Sequence, residues 1–256
     1  MRTFHRFSYR DADYRISSSN SELITDTIKN QRDILEKFIL DNEKFLNSLI
    51  PVPPLPEYTP EIARMMQKAS ALASVGPMAA VAGTMAQLGA ESGVKNTEGH
   101  EAVTVEAIVE NGGDIYMILN DELILGIHSD VEALREKLAF RIRPEDTPLA
   151  VCSSSSTMGH SLSLGNCNLA TVFSKSGALA DAAATRACNM VKDAADIKST
   201  LDEISAIEGI IGLLIIKGDT VGMAGDLPEI ISNADPEMMN KITRYGHNVP
   251  FDTIAL

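Results

Sequence analysis

The chain has 256 residues, 45% of them hydrophobic, which can bury the core of one large domain or two small ones without a disulfide or structural metal. Its 35 acidic residues outnumber 22 basic ones, and the formal net charge of −13 opposes non-specific binding to nucleic acid. The three cysteines lie close together in the sequence and do not resemble a secreted disulfide framework. We therefore expect a cytoplasmic protein without a nucleic-acid partner.

The sequence also predicts that the protein does not enter a membrane. Its first residues lack the apolar segment of a signal peptide, and no uncharged apolar stretch approaches the roughly 18 residues that span a bilayer. The expected environment is therefore aqueous.

The N-terminal fifty residues predict a β-hairpin followed by helix. Aromatic residues alternate with polar ones over residues 4–16, which is the period of half-buried strands. Residues 22–50 carry apolar side chains at helical spacing and indicate one or two amphipathic helices. The proline-rich segment 51–56 then predicts an extended connector. Thr59 before Pro60 predicts an N-cap and a first-turn proline for the next helix.

Residues 75–93 form an almost uncharged segment of small side chains. Its Gly76-Pro77 pair marks a turn, and the alanines and methionines that follow suit a tightly packed core helix. Packing alone explains this composition. The functional alternative is that the small side chains allow a backbone carbonyl or amide near the turn to reach a cofactor or metal.

Short strands dominate the middle of the chain. Residues 103–109 and 115–119 flank the turn Asn111-Gly112-Gly113-Asp114, and a further strand at 123–127 predicts an antiparallel meander. Residues 140–144 alternate apolar and basic side chains and predict an edge strand. The two glycines supply the positive φ angles of a type I′ turn, but they could also bring backbone N–H groups close to an anionic or planar ligand.

A strand, a hydroxyl-rich loop and a helix start converge in the second half. Residues 149–152 form a short apolar strand, and the loop after it contains four consecutive serines and His160. A second strand at 168–174 leads into an alanine-rich helix from Gly177. Residues 207–223 predict a hairpin.

Asp181 and Thr185 interrupt the alanine-rich helix four residues apart. On a helix of about 3.6 residues per turn, they project from one face on successive turns. Mg²⁺ prefers oxygen ligands and usually keeps water and substrate phosphates, so an aspartate, a threonine and a backbone carbonyl would suit it. A solvated helix face explains the same spacing. The alanines would also let a phosphate or another backbone approach closely.

In chain order, these motifs resemble the ApbE family of FAD:protein FMN transferases. The hairpin at 111–116, the strand segments 152–156 and 170–172, and the helix at 179–185 match an N-x-GGD-I-Y-like hairpin, an A-T-S-G-like strand end and an A-D-A-x-x-T helix. The resemblance is greatest to a divergent, uncharacterised archaeal branch.

The resemblance implies an α+β fold of the ApbE-like, T-fold-related kind, with antiparallel sheets and helices around a nucleotide cleft. It predicts a single domain over residues 1–256. Within it, residues 1–50 would form an N-terminal hairpin and helix region, and residues 70–225 the motif-bearing core.

The resemblance also implies a site for Mg²⁺ and FAD or FMN. The metal would be held by Asp181, Thr185 and a backbone carbonyl in the segment 79–83, for which we take Ala80. The candidate catalytic groups are His160 and Cys152. The expected partners are a flavin nucleotide and an acceptor protein, and the oligomeric state is open, a homodimer included. The residues that would line the nucleotide site are Asn111, Gly112, Gly113, Asp114, Ser153, Ser154 and Ser155.

The sequence departs from the family pattern in two places, and three alternative functions therefore stay open. Residues 75–84 replace an Asp-x-Gly-x-x-Ala-Lys-Gly segment and contain no lysine, and no Met-Gly-Thr motif occurs near the start. The resemblance favours Mg²⁺-dependent FMN transfer or cleavage of the FAD pyrophosphate, whereas the missing cation favours a non-catalytic flavin or nucleotide carrier. The third alternative is a sulfur-transfer or redox accessory protein using Cys152 and Cys167, because a thiol near a helix N-terminus can have a lowered pKa. Buried structural thiols are the simpler interpretation.

Overall fold

The structure is a computed structural model that describes residues 2–94, 105–129, 131, 138–156 and 166–232. His160 and the tail after Ser232 lie outside these residues. The elements within them are β1 (His5–Tyr9), β2 (Ala12–Ser18), α1 (Ser21–Leu40), α2 (Glu43–Asn47), α3 (Glu61–Ala73), α4 (Val81–Val94), β3 (Ala107–Asn111), β4 (Asp114–Ile118), β5 (Leu123–Ile127), β6 (Leu138–Ile142), β7 (Leu149–Ser154), β8 (Leu169–Ser174), α5 (Gly177–Met190), α6 (Asp196–Ser205), β9 (Ile210–Lys217), β10 (Thr220–Gly225) and β11 (Glu229–Ser232).

Two antiparallel sheets contain all the described strands. The larger sheet has eight strands in the order β1-β2-β3-β4-β7-β8-β9-β10, and the smaller has the order β11-β6-β5. The expected meander from β4 into β5 is therefore wrong, because β4 pairs with β7 and β5 crosses to the smaller sheet.

Both faces of the eight-stranded sheet are covered. Helices α1, α4, α5 and α6 pack on one face, and the smaller sheet covers the other. Because side chains alternate along a strand, Ala150 faces the helices whereas its neighbour Val151 faces the smaller sheet. The helix-covered face is the one on which the candidate site lies.

The strand β6 is central in the smaller sheet, which corrects the expectation of an edge strand. Phe140 is fully buried, with its ring centroid 4.9 Å from that of Phe173. The outward-facing Arg141 and Arg143 pair with Glu229 of β11 at 2.9 and 2.6 Å. The basic residues that suggested an exposed edge thus face an acidic neighbour strand.

The start of α3 also differs from the expectation. Pro60 occupies the N-cap position and helix begins at Glu61, so Thr59 does not cap it. The Thr59 N–H instead donates to the Pro56 carbonyl at 3.0 Å, which closes a turn at the end of the proline-rich segment.

Among the described residues, no single helix is long and apolar enough to cross a membrane. The helix pair 61–73 and 77–94, bent by 103°, passes the same test on length and composition alone.

Replacing Glu106 with glutamine is expected to cost about 1 kcal/mol of stability at pH 7. Its carboxylate accepts hydrogen bonds from the Arg2 guanidinium at 2.7 Å and the Asn120 N–H at 3.1 Å, and these lower its pKa. A lowered pKa in the folded state gives stabilisation that is complete above the unfolded pKa of 4.5 and is lost as pH falls through the folded pKa. Urea unfolding should therefore separate the two proteins at pH 7, and the difference should shrink as pH falls below 4.5 through the lowered folded pKa of Glu106. An unchanged difference at acidic pH would contradict this account.

Candidate functional site

The small-residue helices α4 and α5 meet backbone to backbone. A Cβ atom placed on Gly83 would lie 2.2 Å from the Gly177 carbonyl oxygen, and one on Gly177 would lie 2.3 Å from that of Gly83. The Gly177 N–H donates to Gln87 Oε1 at 2.8 Å across the same crossing. The glycines at the contact thus allow the backbones of the two helices to approach closely.

Asp181 reaches from α5 to the N-terminus of α4. Its Oδ2 atom accepts the Gly83 N–H at 2.8 Å, and its carboxylate also accepts the Ala82 N–H. The first N–H groups of a helix have no partner within it and carry partial positive charge. The carboxylate is therefore anchored where α4 begins, rather than on a solvated helix face.

Asp114 and Cys152 lie beside each other on the sheet beneath this crossing. Ile115 pairs with Val151, so the residues next to them, Asp114 on β4 and Cys152 on β7, are also opposite each other. The Asp114 carboxyl accepts the Ser153 N–H at 3.1 Å and is hydrogen-bonded to the Cys152 thiol. Cys152 Sγ lies 3.7 Å from the Gly177 carbonyl oxygen, which connects the sheet to the start of α5.

The carboxyl groups of Asp114, which is 8% exposed, and of Asp181, which is partly exposed, therefore lie near each other. Neither forms an ion pair with a lysine or arginine in the part of the chain that the structure describes. Burial is the main reason that the pKa of Asp114 rises to about 7, with a further contribution from Glu110. Burial, followed by repulsion from Asp114, raises the pKa of Asp181 well above its usual value.

The raised pKa values show that the ionised carboxylates lack a compensating charge, which a divalent cation with oxygen ligands would supply. Within the described ranges, no three His, Cys, Asp or Glu side chains are grouped to hold a metal, so a cation here would complete its shell with hydroxyl, carbonyl, water or substrate oxygens. That is the coordination typical of Mg²⁺. Thr185 lies one turn beyond Asp181 and is partly exposed. The Ala80 carbonyl, just before α4, accepts the Thr84 hydroxyl, a bond that a metal would replace or share.

The hairpin turn predicted between β3 and β4 is confirmed. Gly112 and Gly113 have φ angles of 62° and 107°, as a type I′ turn requires. Asn111 pairs with Asp114 across the turn, and its Nδ2 atom donates to the Ala82 carbonyl at 3.2 Å. The turn therefore packs against the N-terminus of α4, next to Asp181.

The serines divide between the two faces of β7, which continues to Ser154, beyond the strand end expected from the sequence. Ser153 Oγ lies 2.9 Å from Thr171 Oγ1. Ser154 follows Cys152 on the helix-facing side; it is 6% exposed, and its hydroxyl has no hydrogen-bond partner among the described residues. Ser155 is also buried.

Helix α5 runs along β7, so Ser154 lies beside the turn that carries the two predicted metal ligands. Cys152 contacts Gly177 at the start of α5, and Ser156 Oγ lies 3.4 Å from Cys188 Sγ near its end. Ser154 is halfway between these contacts along β7. Its unpartnered hydroxyl oxygen is itself buried, so a ligand near Asp181 could reach it only after a local shift of the surrounding side chains.

Of the two interpretations of Cys152, the structure does not support the reactive thiol with a lowered pKa. Burial, together with the neighbouring Asp114 and Asp181 carboxyls, raises the pKa of the thiol well above its usual value. The structure therefore favours the structural interpretation of this cysteine.

Sequence reasoning missed a polar network that holds the crossing together. Gln87 Nε2 donates to Glu91 Oε1 at 2.8 Å, and the buried Tyr116 hydroxyl donates to the same oxygen at 3.2 Å. Gln87 also accepts the Gly177 N–H. Two long polar side chains four residues apart in a helix of small residues were the available signal.

The fold and site together define an α+β protein with antiparallel sheets and helices around a carboxylate-bearing helix crossing. Two solved structures share this fold: an ApbE protein from Thermotoga maritima and the flavinyl transferase ApbE from Pseudomonas stutzeri in its apo form. The first is 13% identical, with a TM-score of 0.57 over 88% of this chain and 97% of that chain. The second is 12% identical, with a TM-score of 0.54 over 87% and 94%.

A sequence model of the family described as AbpE bacteria matches residues 4–206, and the chain belongs to that family. A UPF0280 protein of Methanococcus maripaludis is 38% identical over 225 residues, covering 86% of this chain and 88% of the relative. A UPF0280 protein of Methanocaldococcus jannaschii is 37% identical over 209 residues, covering 80% and 81%. The resemblance to the ApbE family and to a divergent archaeal branch is thus confirmed.

Proposed function

We propose that this protein binds a flavin nucleotide, FAD or FMN, and holds the pyrophosphate of FAD beside Mg²⁺ at Asp181. The proposal depends on one observation: a buried and a partly buried carboxyl group lie near each other at a helix N-terminus, without a described cationic partner. The fold shared with a flavinyl transferase supports the choice of ligand. The archaeal relatives are named only as UPF0280 proteins and add no activity.

Asp181, Thr185 and the Ala80 carbonyl would hold the ion. When bound, Mg²⁺ supplies positive charge that offsets the charge developing on a pyrophosphate as its bond breaks. The Gly83 and Ala82 N–H groups fix the orientation of the Asp181 carboxylate. The crossing at Gly83 fixes the distance between α5 and the residues preceding α4.

The nucleotide would lie against the hairpin turn and the end of β7. Space is available at the turn, since a Cβ atom on Gly113 would meet nothing within 4 Å. The Ser154 hydroxyl, buried and unpartnered among the described residues, would gain a hydrogen bond if the bound nucleotide reached the end of β7. Asn111, Gly112 and Ser155 complete the proposed surface, whereas the Ser153 hydroxyl contacts Thr171 on the other face of β7.

Two reactions use this arrangement. Attack on FAD by a hydroxyl of an acceptor protein would transfer FMN and release AMP, whereas attack by water would cleave FAD into FMN and AMP. His160 and Cys152 stay candidate catalytic groups, although the buried Cys152 thiol is poorly suited to act as a nucleophile.

A non-catalytic flavin carrier is the second candidate. It is favoured by the absence of a lysine from residues 75–84 and by the lack of a described Lys or Arg partner for either carboxyl group. A bound phosphate would then depend on the metal alone for charge compensation. Loss of the basic side chain would therefore impair transfer of FMN more than binding of the flavin nucleotide.

Thermal unfolding with FAD, FMN or ADP, each with and without Mg²⁺, tests the proposal. A ligand present at about 100 times its Kd stabilises the native state by about 2.7 kcal/mol, or roughly 5–10 °C for a chain of this size. We expect FAD and Mg²⁺ together to exceed the sum of their separate shifts. No shift with any flavin or nucleotide would contradict the proposal.

Release of AMP from FAD separates the two candidates. Chromatography of the reaction should show AMP if transfer or cleavage occurs, and no AMP despite a clear thermal shift would identify a carrier. Asp202→Asn, at an exposed carboxylate on α6, is a control that should leave both readouts unchanged.

A further inference from the structure

Two buried thiols from different elements meet at one end of the site. Cys167 lies just before β8 and Cys188 in the last turn of α5, and their thiols are hydrogen-bonded to each other. Neither residue has accessible surface. Cys167 Sγ also lies 3.4 Å from the Ile216 carbonyl oxygen.

Backbone contacts hold the same two segments together. The Ser156 N–H donates to the Cys167 carbonyl at 3.0 Å, while Ser156 Oγ lies 3.4 Å from Cys188 Sγ. The Asn166 N–H donates to the Val191 carbonyl at 3.0 Å. The contact between the thiols is thus part of a wider junction between the start of β8 and the end of α5.

We propose that Cys167 and Cys188 form a reversible disulfide, whereas Cys152 stays reduced. All three cysteines are free thiols in the structure. A disulfide requires two Cβ atoms about 3.5–4.5 Å apart, and thiols that already hydrogen-bond need only a small adjustment to reach that geometry. Cys152 interacts instead with Asp114 and the Gly177 carbonyl.

A low-molecular-weight disulfide, RSSR, would serve as the oxidant. One protein thiol loses its proton and attacks a sulfur of RSSR, which breaks the S–S bond and releases one RS⁻. The second protein thiolate then attacks the protein sulfur of the mixed disulfide and releases the other RS⁻. The two protein protons pass to the two leaving thiolates, so the balance is one protein dithiol and RSSR to one protein disulfide and two RSH.

Burial makes this pair slow to react. The hydrogen bond to Cys188 and burial raise the pKa of Cys167, so little thiolate exists at neutral pH. The pair therefore stays reduced during brief or weak oxidation.

The disulfide would also affect the proposed nucleotide site, a consequence that depends on the proposed function. Cys188 lies one turn beyond Thr185 on α5. Closing the contact between the thiols to a bond of about 2.05 Å shifts the last turn of α5 slightly toward β8, and we expect Thr185, one turn earlier, to shift with it. Small displacements at a binding site are costly, and we expect about tenfold weaker binding of FAD with Mg²⁺.

The test is equilibration of the folded full chain with oxidised glutathione at about pH 8, where more thiolate is present. Free thiols are then alkylated in denaturant, and the disulfide is mapped by mass spectrometry of peptides. We expect loss of two of the three thiols, a peptide linking Cys167 to Cys188, a Tm higher by about 5 °C, and reversal by dithiothreitol. Retention of all three thiols, glutathione adducts alone, or a crosslink to Cys152 would overturn the proposal.

Two variants provide matched controls. Cys188→Ala should not form the crosslink, whereas Cys152→Ala should still form it, and the peptide map of the wild-type chain does not depend on how either variant folds. A thermal shift with FAD and Mg²⁺ is then compared between the reduced and oxidised forms. Equal shifts would overturn the coupling to the site. A crosslink in a protein that binds no nucleotide in either form would support the disulfide and contradict the proposed function.

Discussion

Replacing Gly83 with alanine should destabilise the protein by about 3 kcal/mol, because the new methyl group would overlap a backbone atom rather than a movable side chain. Its Cβ atom would lie 2.2 Å from the Gly177 carbonyl oxygen and 2.8 Å from the Asp181 Cβ atom. The helices α4 and α5 would have to separate, which would also remove Asp181 from the Gly83 N–H. Urea unfolding of the variant and wild type measures the loss.

Gly89 provides the control within the same helix. An alanine there would meet Ile28 side-chain atoms at 3.1 and 3.2 Å, a much smaller overlap than the 2.2 Å contact with backbone at Gly83. Alanine is also favoured over glycine in a helix by about 1 kcal/mol. We therefore expect Gly89→Ala to change stability little. Equal losses from the two substitutions would show that the backbone contact between α4 and α5 is unimportant.

Replacing Asp181 with asparagine should weaken binding of FAD with Mg²⁺ by about 100-fold, because a neutral amide is a poor substitute for a carboxylate ligand. The variant should nevertheless fold without a loss of stability in the absence of ligand. Asparagine keeps an oxygen that can accept the Gly83 N–H, and it removes the charge that repels Asp114. Titration calorimetry and thermal unfolding measure the two effects separately.

Asp181→Ala distinguishes anchoring from charge. It removes both the ligand and the acceptor at the N-terminus of α4, and loss of such an acceptor costs about 1 kcal/mol. The alanine variant should therefore be less stable than the asparagine variant, while both lose binding. Tight metal-dependent binding by Asp181→Asn would exclude this residue from the proposed metal site.

Local patterns predicted much of this architecture. The N-terminal hairpin, α1, α3 and the hairpin of β9 and β10 followed from periodicity and turn residues, because these signals act over a few neighbouring positions, whereas the α+β class came from the resemblance to the ApbE family. The Asn111-Gly112-Gly113-Asp114 turn was predictable for the same reason. Positive φ at two successive residues selects glycine before any tertiary contact forms.

Long-range partners explain where the sequence analysis failed. The alternation in β6 was read correctly as a strand, but its position in the sheet depends on Glu229, almost ninety residues later. The helix cap at α3 was misplaced because Thr59 is used by the preceding turn. The Gln87–Glu91–Tyr116 network was missed because its members come from two elements that meet only in the folded chain.

By itself, the sequence determined that Asp181 and Thr185 lie one turn apart on a helix of small residues, since helical spacing is a local property. Only the tertiary structure decided what the Asp181 face of this helix packs against. Packing of Gly83 against Gly177 turns Asp181 toward the N-terminus of α4 and places it near Asp114. Removal from water then raises the pKa of both carboxyl groups, because a charge is costly there without a partner. A bound cation would supply that partner.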